Sequence, residues 1–237
     1  MNKSIAIMQP YVFPYVGYFS LIDSVDIFVF YDDVNYIKNG WINRNRILIN
    51  NGSYKFSIPI SNSSQNVLIG DVNIYDYDKF KKDFKNKIFH AYKKAPFFES
   101  GYQYVDAVLD DVKSDKIADL SISSILNFYN MFSFDEKTFL RSSELKDNFF
   151  GLQKDLRLIN ISKHLGGGRY INAIGGIDLY SKEFFLQNGI ELSFLKPGFL
   201  MYKQFDNEFV SGLSIVDIIM FNNKDAIANI IKHYEVV

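Results

Sequence analysis

Ile5–Asn45, IAIMQPYVFPYVGYFSLIDSVDIFVFYDDVNYIKNGWINRN, is the stretch whose reading decides the fold. It opens in Ser4–Met8, a short apolar run with the length and composition of a buried strand. Gln9, Pro10, Tyr11, Phe13, Pro14, Tyr15, Gly17 and Tyr18 follow. That is too much Pro, Gly and aromatic for an element interior. The segment reads as a loop entering a helix near Phe19. Asp26–Tyr31 (DIFVFY) is a second buried strand, rich in β-formers. Strand, loop, helix and strand in so short a span predict a parallel βαβ unit. Such proteins place their sites in the loops after strand carboxyl ends. Asp32 and Asp33 stand where the second strand should emerge, and Tyr36, Trp41, Asn43, Arg44 and Asn45 follow.

Working outward, Trp41–Asn50 and Ser53–Ile60 predict an antiparallel hairpin turned at Asn50-Asn51-Gly52, since Asn-Gly accepts positive φ. Tyr54, Phe56, Ile58 and Ile60 alternate with polar neighbours, which predicts one buried face. Arg44 and Arg46 share a face of the first arm, where Arg44 is the better anion clamp and Arg46 the more solvated. Ser61–Asp76 is a polar loop with a short strand at Val67–Val72. Asp78–Lys94 predicts an amphipathic helix ended by Pro96, with His90 on its surface. Tyr102–Val112 and Ile117–Phe132 predict two more helices, and Thr138–Arg141 a strand.

Leu152–Leu165 predicts a helix with Leu156, Ile159, Ile161 and Leu165 inward. Its end is Gly166-Gly167-Gly168. Phosphate loops precede a helix and this triplet follows one, so a glycine C-cap is the reading, with His164 complementing the helix dipole. Arg169–Ile171 and Ile190–Leu195 predict strands. Ser181 caps a helix to Asn188, and Ser214 caps one to Phe221 with Asp217 as a capping-box partner. Ala226–Tyr234 predicts a last helix. The expected architecture is α/β, one domain over residues 1–237. It has a Rossmann-like parallel core, a hairpin insertion at about 41–60 and a helical region at about 78–132.

Composition narrows the function. The formal net charge is -1, so no global field holds a nucleic acid. The chain has no cysteine, which removes disulfides, thiolate metal sites and a thiol nucleophile. With 3 histidines far apart, a zinc site is not expected. The apolar run at Ile5–Met8 is too short for a signal peptide, and no stretch reaches the length of a membrane span. A cytoplasmic protein is expected, without stable membrane insertion. There is no G-x-S-x-G, Walker loop or G-x-G-x-x-G. Asp32 and Asp33 can act as a general base, orient an amine or hold Mg²⁺; a turn at the strand end explains either one equally well. Together with Arg44, Asn43, Trp41 and the tyrosine loop they make a polar-ligand pocket.

The string MQPYVFPYVGYFSLI…VDIFVFYDDVNYIKNGWINRNRIL resembles the WbqC-like protein family. The likeness continues through RSSEL (Arg141–Leu145), GGGRYINAIGG (Gly166–Gly176) and LSIVDIIMFN (Leu213–Asn222). That family occurs among bacterial O-antigen and other surface-polysaccharide genes, and glycine transfer to a sugar amine has been suggested for it. The resemblance implies a transferase that N-acylates an amino sugar, nucleotide-linked, from an activated acyl donor. It places the motif on Gln9, Pro10, Tyr11, Pro14, Tyr15, Gly17, Tyr18, Asp32, Asp33, Tyr36, Trp41, Asn43 and Arg44. In this reading Asp33 (or Asp32) is the base or amine orienter and Arg44, aided by Asn43, holds a phosphate or carboxylate. Tyr15, Tyr18, Tyr36 and Trp41 line the pocket. A second likeness, of Tyr15-Val16-Gly17-Tyr18 to the H-x-G-H signature of nucleotidyltransferases such as pantothenate synthetase, implies an alternative. That alternative is an ATP- and Mg-dependent ligase acting through an acyl-adenylate, with Arg141, Ser142 and Ser143 as a phosphate contact. Tyrosines replace both histidines of the signature and bring no positive charge. A third reading is a non-catalytic sugar-nucleotide-binding protein of a polysaccharide assembly complex. Self-association into a homodimer is left open.

Overall fold

In the computed structural model β1 (Lys3–Met8) and β2 (Ile27–Phe30) pair in parallel, Ile5 opposite Ile27 and Met8 opposite Phe30. Side chains alternate across this pair. Ile5, Ile7, Ile27 and Val29 enter the core on one face, and Ala6, Phe28 and Phe30 the core on the other. Both faces are therefore covered, which explains why the strands read as continuous apolar runs. The structure describes residues 3–61, 66–132, 134, 137–145, 149, 151–206 and 208–237.

β5 (Thr138–Arg141), β6 (Gly167–Ala173) and β7 (Glu191–Pro197) join the sheet in parallel, and β8 (Tyr234–Val236) adds an antiparallel edge. The order is β5-β2-β1-β6-β7-β8. From β1 the chain runs outward through β2 to β5, then returns to the far side of β1 as β6 and β7. The direction reverses between β1 and β6, so this fold opens its crevice at their carboxyl ends. β3 (Arg44–Ile49) and β4 (Gly52–Ser57) form the expected hairpin as a separate sheet.

α1 (Val16–Asp23) links β1 to β2. α2 (Tyr77–Tyr92), α3 (Phe98–Asp111) and α4 (Ile117–Phe132) make the helical region, with Phe80, Phe84, Ile88 and Tyr92 as the buried stripe of α2. α5 (Lys154–His164) ends at Gly166, whose φ of 73° is the left-handed cap the triplet implied. α6 (Lys182–Gln187) is capped by Ser181, and α7 (Ile215–Phe221) by Ser214. α8 (Lys224–Ile231) ends before β8.

Several expectations are corrected. The hairpin turn is Asn50-Asn51, both at positive φ, and Gly52 already pairs with Ile49 in the ladder. Tyr54 is exposed, with Lys87 Nζ 4.7 Å from its ring centre, so the buried face of β4 begins at Phe56. Val67–Val72 holds a 3₁₀ turn at Ile69–Asp71 instead of a strand, while residues 62–65 of that loop lie outside the described residues. In α5 the buried side includes Arg157 and Leu158, and Leu156 and Leu165 are half-buried. The predicted last helix stops at Ile231, because Tyr234–Val236 pairs with Leu195–Pro197. Among the described residues no helix is long and apolar enough to cross a membrane.

Candidate functional site

The loop after β1 is held under strain. Phe13 has φ 49°, a left-handed conformation that a bulky residue rarely adopts. Its ring is fully buried against Phe84 and Tyr104, and its N–H donates to Ser124 Oγ at 3.0 Å. The buried Asn45 amide, from β3, donates to the carbonyls of Val12 at 3.0 Å and Phe13 at 2.5 Å. Ile215 N–H donates to Pro14 O, and Ser214 N–H to Arg46 O, both at 2.8 Å. Loop, hairpin and the start of α7 are thus tied together from every side.

These ties shape a hollow of about 320 Å³ walled by Tyr11, Tyr15, Trp41, Asn45, Arg46 and Gly212. Trp41, the chain's single tryptophan, is 48% exposed. The Arg46 guanidinium lies 4.9 Å from its ring centre. Burial pushes the Tyr11 and Tyr15 hydroxyls above the usual phenol range, so both stay protonated as donors. Gly17 leaves room for the Tyr15 ring, which a Cβ there would strike. The hollow therefore offers aromatic faces, hydroxyl donors, an amide and a cation.

Asp32 and Asp33 sit one strand over, where β2 and β5 emerge. Asp32 is buried and accepts from Ser142 Oγ at 3.2 Å, Ser143 N–H at 3.1 Å and Ser143 Oγ at 2.8 Å. Asp33 accepts from Ser142 Oγ and pairs with Arg157 at 2.5 Å. Arg157 also stands 4.8 Å from the centre of the Tyr31 ring. One serine hydroxyl joins both carboxylates, and α5 is locked to the strand ends through the guanidinium.

The expected active centre therefore does not assemble as drawn. Asp33 is held by Arg157; Arg44 donates to Asn39 Oδ1 at 3.0 Å; Tyr18 is buried and donates to Gln9 O at 3.2 Å. None of these three side chains lines the hollow. Tyr36 donates to Asn43 Oδ1 at 2.7 Å, and Asn43 in turn to Ile58 O, so both brace the hairpin base. Arg141 pairs with Asp119 at 2.6 Å and does not line the hollow. Arg46, expected to be the more solvated of the pair, is the one that faces the hollow. Asp217 is no capping-box partner, because its carboxylate is buried among Tyr92, Tyr202 and Gln204. Among the described residues no group of three or more His, Asp or Glu is arranged to hold a metal ion. The Asp32–Asp33 pair, which could have held Mg²⁺, has its oxygens engaged by serines and Arg157.

A second concavity, also about 320 Å³, opens between β1 and β6 and includes Gln9. Gln9 borders this cleft and Tyr11 the hollow, so one short loop serves both. Sequence reasoning missed Lys154, Asn172 and Tyr180 on its walls. Asn172 carried a readable signal, being a polar residue inside an otherwise apolar strand, YINA.

A model of the WbqC-like protein family matches residues 9–229. The chain belongs to that family. The WbqC-like match begins at Gln9, so the strained loop, the hairpin and the aspartate pair fall within it, as does the cleft apart from Ile7 and Met8. Part of the chain is also similar to an uncharacterized protein, Rv1507c, of Mycobacterium tuberculosis (strain ATCC 25618 / H37Rv). The two are 45% identical over 58 residues, 24% of this chain and 25% of that protein. The match thus spans about a quarter of that relative's length. No solved structure matches the chain.

Proposed function

We propose that this WbqC-like protein is a transferase that N-acylates an amino sugar, nucleotide-linked, with glycine as the acyl group, in surface-polysaccharide synthesis. The observation that carries the reading is the hollow walled by Tyr11, Tyr15, Trp41 and Arg46. A pyranose presents an apolar face to an aromatic ring and hydroxyls at its edge, and the hollow supplies partners for both. Arg46 takes a phosphate or carboxylate, which a guanidinium grips through paired donors. In the reaction the sugar amine, as free base, attacks the acyl carbon of the activated donor. A C–N bond forms, the bond to the leaving group breaks, and the leaving group departs with the electron pair. The amine's surplus proton passes to solvent. The Tyr11 and Tyr15 hydroxyls, protonated, donate to the oxygen that gains charge. Asp33, engaged by Arg157 and Ser142, holds the scaffold in place and is not the base.

The test is incubation with UDP- and dTDP-linked amino sugars, with glycine plus ATP in one arm and pre-activated glycyl donors in the other, read by mass spectrometry. A gain of one glycyl unit is expected. AMP release in the first arm assigns the ligase route instead. Trp41→Ala and Arg46→Ala should each lower kcat/KM by about tenfold or more, since each removes an interaction of one to two kcal/mol. Binding without turnover under every donor, or full activity in both variants, overturns the proposal.

A further inference from the structure

The cleft between β1 and β6 lies where the strand order reverses, the position at which open parallel sheets receive ligands. Its walls are those of a binding site. Asn172, at the carboxyl end of β6, is 6% exposed, yet its side chain makes no hydrogen bond among the described residues. Gln9, just after β1 and half-buried, lines the same cavity and contributes only its carbonyl to a hydrogen bond. Two amides that border one cavity, with their side chains unengaged by the protein, point to a ligand that pairs with them. Gly176 shows how Asn172 is accommodated: a Cβ there would run into Asn172 Nδ2.

The rest of the wall narrows the ligand. Tyr31 and Tyr180 provide ring surface, and Ile37 and Leu179 form an exposed apolar rim. Lys154 supplies the cation, its Nζ 4.8 Å from the Tyr180 ring centre. It is the first residue of α5, whose start has no side-chain cap. Planar apolar surface, two amides able to read polar edges and one cation at the rim match a base, a ribose and a phosphate in turn. The geometry points to this cleft as a nucleoside-phosphate site, separate from the Trp41 hollow and reached along the same loop. It rests on the transferase reading only in that the nucleotide there would be the handle of the amino sugar. ATP offers the same chemistry.

Calorimetric titration of the full chain with UDP, dTDP, ADP, uridine and thymidine tests the proposal. Binding of at least one diphosphate is expected; uridine or thymidine preference assigns the sugar handle, and ADP preference assigns ATP. Lys154→Ala should weaken the diphosphate by about tenfold and leave the nucleoside unchanged. Asn172→Ala should weaken both by a similar factor. It should also leave the thermal midpoint in place, because the amide has no partner to lose; a structural amide would lower that midpoint. No binding by any of these probes overturns the site. So does binding that survives both cleft variants and is lost in Trp41→Ala. Nucleotide binding without acyl transfer would sink the proposed activity and leave the cleft assignment standing. Acyl transfer to a sugar lacking a nucleotide, with no nucleotide bound, would do the reverse.

Discussion

Asp217→Ala should lower the unfolding free energy by about 3–5 kcal/mol, with urea denaturation as the measure. The carboxylate is fully buried and accepts from Tyr92 at 2.9 Å, Tyr202 at 2.6 Å and Gln204 at 2.7 Å. Truncation orphans these donors and opens a void in α7. Tyr92 also accepts from Leu48 N–H at 2.7 Å, so the loss spreads into β3, the strand that carries Asn45 and Arg46. The hollow should loosen with the fold.

The charge itself works against stability. Burial, opposed by the three donors, pushes the Asp217 carboxyl from 3.8 up to about 6. Between those values the native state holds a proton that the unfolded chain has released. This group's contribution therefore falls as pH rises through that window, by about 3 kcal/mol for a rise of roughly two units. Asp26 acts in the opposite direction: hydrogen bonds from Ser4 N–H and Oγ hold its carboxyl down, so its contribution is lost on acidification. Asp217→Asn separates the two, because Asp26 is common to both proteins. The difference in stability between wild type and Asp217→Asn should shift in the variant's favour from pH 4 to pH 7. A difference that does not change with pH would show that Asp217 is not the titrating group.

Local signals wrote most of the scaffold into the sequence. DIFVFY reads as a buried strand, Asn50-Asn51-Gly52 as a turn, and the α2 stripe Phe80–Phe84–Ile88 as facing a core. β8 was hidden because Tyr234–Val236 is too short to show a period and is a strand only by pairing with β7. The site divided along the same line. Tyr11, Tyr15 and Trp41 stand close in sequence and meet in one hollow. Partners distant in the chain could not be read: Asp33 and Arg157 are 124 positions apart, and Tyr92 and Asp217 are 125. That Arg46 and not Arg44 lines the hollow was hidden for a different reason. Both arginines share a face of β3, and only the position of the strained loop decides which of them faces it.

Arg157→Met should be nearly as damaging, at about 3–5 kcal/mol, for removing one partner of a buried pair leaves the other charge stranded. Arg157 is 7% exposed, and the Asp33 side chain is 16% exposed. The pair joins α5 to the end of β2, and the Asp32–Ser142–Asp33 bonds join β2 to β5. Asp33→Asn in the Arg157→Met background should recover much of the loss, since a neutral amide no longer needs the guanidinium; a double-mutant cycle measures the coupling. The same variants decide what Asp33 does. A general base would give Asp33→Asn with normal stability and no turnover. A scaffold residue gives Asp33→Asn with a lowered denaturation midpoint and turnover per folded molecule within a few-fold of wild type. The second outcome is expected, because the Asp33 carboxylate is engaged by Arg157 and Ser142 and does not line the hollow.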